Sequence, residues 1–196
     1  MSEAQPPHTV IPAEAGIQGW SGALLGALTV RHLPHIVSEN QRRGSTMGTV
    51  HEIYIAPEGS AHMRKVDEAE AVASMGLKGD RYCESTGYYS GWDECQVTLI
   101  EAEDLEEIAA AAGLQVLNGE HRRNIVTRDT RLDDLVGHAF RVGEAVLAFD
   151  RPRPPCAYIQ SITEPGMTRA LMGKSGICAL VVQGGVIRPG DEIAVL

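Results

Sequence analysis

From Met47 onward the apolar residues come in short alternating runs, and nearly every run is cut off by glycine or proline. Val50-His51-Glu52-Ile53-Tyr54-Ile55 alternates as a strand does, and Pro57-Glu58-Gly59 then turns the chain. Further extended segments are expected at 70–74, 96–100, 124–127, 139–142, 145–149, 157–160, 178–183 and 192–195. One strong helix interrupts them, because 101–112 is rich in Glu, Ala and Leu, opens on acidic residues and stops at Gly113. Residues 132–136 read as a short turn or helix, and 165–171 as another helix with Pro165 in its first turn. Many short strands with so few helices make the fold mainly β, a barrel of mixed topology. Segment 184–193, with its Pro189-Gly190 pair, reads as the hairpin that closes it.

Composition narrows the function classes. The chain has 196 residues, 43% apolar and 22% charged, enough for one domain with a real core and room for an appended tail. A formal charge of −9 argues against general nucleic-acid binding, which needs a basic footprint. The charge is uneven, however: Arg122, Arg123, Arg128, Arg131, Arg141, Arg151 and Arg153 crowd into one third of the sequence, compatible with a local anion site. The four cysteines, Cys83, Cys95, Cys156 and Cys178, form no CxxC pair and no zinc-like spacing. No secretory signal is recognisable and the apolar patch at 23–30 is too short to span a bilayer, so reduced thiols in a cytoplasm are expected.

Residues 1–46 look different, with Pro6-Pro7, scattered Gly and His and no sustained period. The piece Val10-Ile11-Pro12-Ala13-Glu14-Ala15-Gly16-Ile17-Gln18 resembles the peptide read out when a dispersed bacterial repeat is translated. A poorly structured extension is expected there, with Met47 as the plausible start of the functional chain. The rival reading is a short regulatory or membrane-touching tail.

Chemistry concentrates in Arg151-Pro152-Arg153-Pro154-Pro155-Cys156-Ala157. Three prolines stop strand pairing and stiffen the segment. A thiol between guanidinium groups ionises more readily, and a thiolate attacks electrophiles or ligates soft metals. The alternative is a proline-rich loop whose cysteine packs. Upstream, His121-Arg122-Arg123-Asn124 enters a strand, and Gly79-Asp80-Arg81 offers another arginine after a turn. Such groups can converge on an anion, arginine suiting bidentate phosphate contacts, or can be solvated surface charge. His121 is a candidate proton donor, or a surface histidine. Cys83 and Cys95 flank an aromatic loop carrying Tyr88, Tyr89 and Trp92 and read as partly buried thiols, and Cys178 lies in an apolar strand.

Taken in order, Gly79-Asp80-Arg81-Tyr82, Gln96-Val97-Thr98-Leu99-Ile100-Glu101, His121-Arg122-Arg123-Asn124-Ile125-Val126, Leu135-Val136-Gly137, Phe140-Arg141-Val142-Gly143 and Pro155-Cys156 resemble the MOSC domain, over residues 47–196. The family is named for the C-terminal domain of molybdenum cofactor sulfurases, and the likeness is strongest to its small stand-alone bacterial members. The resemblance implies a β-barrel with one functional cysteine, at Cys156. Where family members carry molybdopterin, that cysteine ligates molybdenum and arginines hold the pterin phosphate. Arg81, Arg122, Arg123 and Arg153 take that part here, with Asn124 orienting the phosphate. Ser161-Ile162-Thr163-Glu164-Pro165-Gly166 and Arg122-Arg123-Asn124-Ile125 are similar to segments of the molybdenum-dependent amidoxime-reducing enzymes. The extra N-terminal β domain of those enzymes is not recognisable in this sequence. Nor is the pyridoxal-phosphate desulfurase domain of full sulfurases, so the chain is not expected to make its own persulfide.

Three functions follow as expectations. The first is a molybdenum-molybdopterin protein that reduces N-hydroxylated compounds, with Cys156 as metal ligand and an external electron donor, because no flavin, haem or iron–sulfur signature is present. The second is a sulfur carrier that takes a persulfide on Cys156 from a partner cysteine desulfurase. The third is a non-catalytic anion-binding barrel.

Overall fold

Period-two alternation in the strands divides the apolar residues between two cores. The computed structural model describes residues 46–92 and 95–196, so the expectation for 1–46 lies, apart from Thr46, outside the described residues. In chain order the strands are β1 (Thr46–Ile55), β2 (Arg64–Val66), β3 (Ala69–Val72), β4 (Gly76–Leu77), β5 (Val97–Glu101), β6 (Ile125–Arg128), β7 (Ala139–Val142), β8 (Ala145–Pro152), β9 (Ile177–Gln183), β10 (Gly185–Ile187) and β11 (Glu192–Val195). The helices are α1 (Ala102–Ala112), α2 (Ala157–Ser161) and α3 (Met167–Ala170), with a 3-10 turn at Leu132–Leu135.

Neighbouring strands run β11-β7-β8-β9-β5-β6-β1, and β11 pairs back onto β1, so seven strands close into a mixed barrel. All barrel pairings are antiparallel except β5 with β6. A parallel pair needs a long crossover, and α1 supplies it. Ile53, Leu99 and Ile125 join Phe140, Leu147 and Ile193 in the first core. Their sequence neighbours Tyr54, Ile100 and Val126 point the other way, into a second core with Leu105 and Ile108 of α1, Ile159 of α2 and Met167 of α3. Burial on both faces explains why Val97-Thr98-Leu99-Ile100 is nearly continuously apolar.

Closure of the ring depends on a bulge. The register of β1 against β11 slips between Thr46 and Gly48. There Gly48 has φ +136° and its backbone runs so close to Arg128 O that a Cβ would stand 2.3 Å from it. Only glycine fits such an approach.

Two expectations are corrected. Residues 157–160 form the start of α2, not a strand. The prolines end β8, and in the five residues of α2 only Ile159 is buried, a one-sided pattern that four residues of sequence cannot separate from alternation. The 184–193 segment is not a hairpin either. β10 pairs with β3 in a separate three-stranded sheet, while β11 closes the barrel on β1 and β7. Among the described residues, no helix is long and apolar enough to cross a membrane.

Candidate functional site

The three prolines carry the chain off the end of β8 and deliver Cys156 in an extended conformation, φ −132° and ψ 167°, immediately before α2. Its thiol is half-buried. Burial by itself raises the thiol pKa. The Tyr89 hydroxyl, the backbone N–H groups of Ile159 and Tyr158 and the Arg153 charge outweigh it, and the net shift is downward. No N–H closes a conventional capping bond to the sulfur. Of the two flanking arginines Arg153 acts on the thiol, and Arg151 pairs with Asp150.

Three arginines come together beside it. Arg81, Arg122 and Arg123 are only 4%, 8% and 4% exposed, and Asp80, at 0%, is the one carboxylate buried among the described residues. Asp80 Oδ2 accepts from Arg81 at 2.9 Å and from the Ala56 N–H at 3.0 Å, and Oδ1 accepts from the Tyr82 N–H at 3.2 Å. The other partners of the arginines are neutral. Arg81 donates to Arg122 O at 3.0 Å. Arg122, in the left-handed region with φ +62°, donates to Ala61 O and Gly59 O. Arg123 donates to Ser175 O at 2.8 Å, to His121 O at 3.1 Å and to Ser175 Oγ.

Carbonyls thus hold the guanidinium planes still without cancelling their charge. Burial first, then the Arg81 charge, lowers the Arg122 pKa to about 10; burial also brings Arg123 to about 10. Uncompensated buried cations are costly, and the remedy such a site offers is an anion. Glycine makes one of these contacts possible. At Gly176, φ +77°, a Cβ would stand 1.8 Å from Leu99 O. That close approach sets Ser175 against Arg123 and lets Gly176 O accept the Arg153 N–H at 2.9 Å.

Arg81, Arg122, Arg123, Arg153 and Cys156 line one cavity of about 50 Å³, together with Tyr82, Tyr88, Tyr89 and Tyr158. Five of the seven site residues expected from sequence therefore meet. The other two do not reach the cavity. Asn124 is fully buried, with Oδ1 accepting from Thr98 N–H at 3.2 Å and Thr98 Oγ1 at 2.8 Å while Nδ2 donates to Tyr54 O at 3.1 Å. Its amide joins β1, β5 and the start of β6.

His121 is also fully buried, not at the surface. Its Nδ1 accepts the Arg123 N–H at 3.0 Å, and Nε2 has no hydrogen-bond partner. Burial, then the charges of Arg123, Arg122 and Arg81, push its pKa down to about 3. The His121 side chain is not among those that line the cavity.

Sequence reasoning passed over Asp80, Ser175, Tyr89 and Tyr158 as site residues. Asp80 sat inside the Gly79-Asp80-Arg81-Tyr82 motif, and Tyr89 stood in the aromatic loop. The approach of Tyr89 to Cys156 is long-range and has no sequence signal, whereas Tyr158 lies two residues from Cys156. A larger groove of about 870 Å³ shares Arg153, Pro154 and Pro155 with the site, but Glu101, Glu103, Asp104 and Glu107 give its wall the wrong sign for an anion.

Comparison with known proteins adds the family. Residues 86–194 match the sequence profile of the MOSC domain. The fold resembles the crystal structure of the YuaD protein from Bacillus subtilis, with TM-score 0.63 and 20% identity over 76% of this chain and 94% of that one. It also resembles YiiM from Geobacillus stearothermophilus (TM-score 0.58, 20% identity, 76% and 74% covered) and YiiM from Escherichia coli (0.56, 19%, 74% and 67%). No curated protein matches the sequence.

Proposed function

The chain belongs to the MOSC domain family, and on that premise we propose that it binds molybdenum cofactor at Cys156 and the arginine cluster and reduces N-hydroxylated compounds. The observation that carries this reading is the conjunction, in one cavity, of a thiol with a lowered pKa and buried arginines whose charge exceeds the carboxylate charge beside them. The donor chemistry fits the group. A thiolate is a soft ligand suited to molybdenum, and guanidinium forks suit the pterin phosphate. Among the described residues no cluster of three or more His, Cys, Asp or Glu is placed to hold a metal, and Cys156 would be the ligand this chain offers.

In this reading Cys156 binds the metal, and Tyr89 and Arg153 favour its thiolate form. Arg81, Arg122 and Arg123 take the phosphate, with Asp80 and Ser175 fixing the guanidinium planes. When bound, the cofactor supplies the two-electron chemistry, and electrons come from an external donor. The test is turnover of an N-hydroxylated base by the full-length chain loaded with cofactor and given a chemical reductant. Cys156→Ser is expected to be inactive, and equal rates in wild type and variant overturn the assignment.

The same lowered thiol pKa supports a second reading, a sulfur carrier. Cys156 thiolate attacks the terminal sulfur of a desulfurase persulfide, the donor thiolate leaves, and the persulfide stays on Cys156. A mass increase of one sulfur on the Cys156 peptide after incubation with a desulfurase and cysteine distinguishes it from metal binding.

A further inference from the structure

The site is nearly full. A volume of about 50 Å³ has room for a water or two, whereas sites for organic molecules run to roughly 300–1,000 Å³. The space is taken by the tip of the loop that follows Arg81. Tyr88 stacks on Tyr158 with ring centroids 3.8 Å apart and planes 16° from parallel. Tyr89 meets Tyr88 edge-on at 4.8 Å and Tyr158 at 6.0 Å, and it lines the cavity beside Cys156.

The base of this loop is anchored and its tip is not fastened in the same way. Thr86 Oγ1 donates to Pro57 O at 2.6 Å, Thr86 N–H to Arg81 O at 2.9 Å, and Gly59 N–H to Thr86 O at 3.1 Å. Beyond Thr86 the backbone bonds among the described residues are turns within the tip, Ser90 N–H to Gly87 O at 3.1 Å and Trp92 N–H to Tyr89 O at 2.9 Å. Gly87 and Gly91 bracket it. Gly91 has φ +83°, a conformation glycine adopts freely, with nothing within 4 Å of where a Cβ would be.

We propose that residues 87–91 are a lid, closed in this structure, in which Tyr89 covers and holds the Cys156 sulfur, Tyr88 is seated on Tyr158, and a ligand reaches the thiol and the arginines by displacing both rings. The lid rests on the reading above only in that Cys156 is the working thiol. Closed, it shields an ionisable sulfur from adventitious oxidants and alkylating agents. Open, it exposes one face of Tyr158 and the Cys156 sulfur at once. Tyr89 is accordingly the ring that sets access to the sulfur.

The test is alkylation kinetics on the full-length chain, metal-free, with Cys83→Ser to remove the other half-buried thiol. Labelling at Cys156 is followed by peptide mass mapping with iodoacetamide and with a bulky fluorescein maleimide. The bulky reagent is expected to reach a rate plateau as its concentration rises, the mark of an opening step. Tyr88→Ala is expected to raise that plateau about tenfold, the scale of one lost aromatic contact. Because Tyr88 is largely exposed, the variant should keep its unfolding midpoint. Tyr89→Ala removes the second ring, so maleimide labelling of Cys156 should accelerate as it does in Tyr88→Ala. A maleimide rate that stays linear and is indifferent to Tyr88→Ala overturns the lid. So does a Tyr89→Ala maleimide rate identical to wild type. Since no molybdenum is present, failure of the molybdenum reading leaves these results standing.

Discussion

Asp80 lies 2.9 Å from the Arg81 guanidinium and is the one buried carboxylate, among the described residues, set against three buried arginines. It also accepts backbone N–H groups from Ala56 and Tyr82, which ties the end of β1 to the loop that carries the lid. Removing its charge leaves the cluster wholly cationic. Asp80→Asn should therefore lose about 3–5 kcal/mol of stability in urea unfolding, the range for breaking a buried ion pair. Phosphate should recover more of that loss than chloride at equal ionic strength. A loss below about 0.5 kcal/mol, the scale of an ordinary surface change, contradicts the ion-pair account.

Anions should stabilise the wild-type chain through the same cluster. A ligand at a hundred times its Kd adds about 2.7 kcal/mol, so sulfate, phosphate or molybdate should raise the melting temperature in a saturable way. Arg122→Ala should weaken that binding by about ten- to a hundredfold, the scale of a lost charge-assisted hydrogen bond. Cys156→Ala should change it less than about twofold, because the thiol is not among the cationic groups. Equal loss in both variants would place the anion on the sulfur instead.

His121 gives a pH signature. Its pKa falls from the ordinary 6.5 to about 3 on folding, so below pH 6.5 the unfolded chain takes up a proton that the folded chain refuses. The neutral ring's full contribution is present above pH 6.5 and is lost as the pH falls toward about 3, with a limiting slope of about 1.4 kcal/mol per pH unit. Between pH 6.5 and 5 most carboxylates remain ionised, so the slope there belongs largely to His121. In His121→Asn, which keeps an acceptor for the Arg123 N–H, that stretch should flatten. An unchanged slope removes His121 as the cause.

Gly176→Ala should be among the most damaging single changes in the barrel. The added carbon would collide with Leu99 O, and φ +77° is strained for alanine. Movement there pulls Ser175 from Arg123 and Gly176 O from the Arg153 N–H. We expect a loss of about 3 kcal/mol or more, together with weaker anion binding per folded molecule. Anion affinity equal to wild type would show that Ser175 does not position Arg123.

How far the sequence could be read follows from which interactions are local. Alternation in 50–55 and 96–100 is a local signal, and it located strands whose two faces serve two cores. The Glu- and Ala-rich stretch likewise located α1, whose end at Gly113, φ +66°, is a left-handed cap. The convergence of Arg81, Arg122, Arg123, Arg153 and Cys156 was legible only as a grouping. It could not be ranked against solvated surface charge until burial was known. His121 and Asn124 were placed with their neighbours because adjacent polar residues look alike in a sequence. In the folded chain Asn124 turns inward to Thr98 and His121 lies beneath the arginines it adjoins. The Tyr89 contact with Cys156 spans much of the chain and left no trace in spacing.

The central claim is a cofactor-ligating Cys156 in an arginine cavity, and metal and pterin content test it most directly. The full-length chain and its Cys156→Ser variant are expressed in a host that makes molybdenum cofactor and analysed after purification. The account predicts molybdenum and pterin near one per chain in the wild type, with molybdenum lost and pterin partly retained in the variant. Wild-type protein that carries no molybdenum, or a variant that carries as much as the wild type, contradicts it.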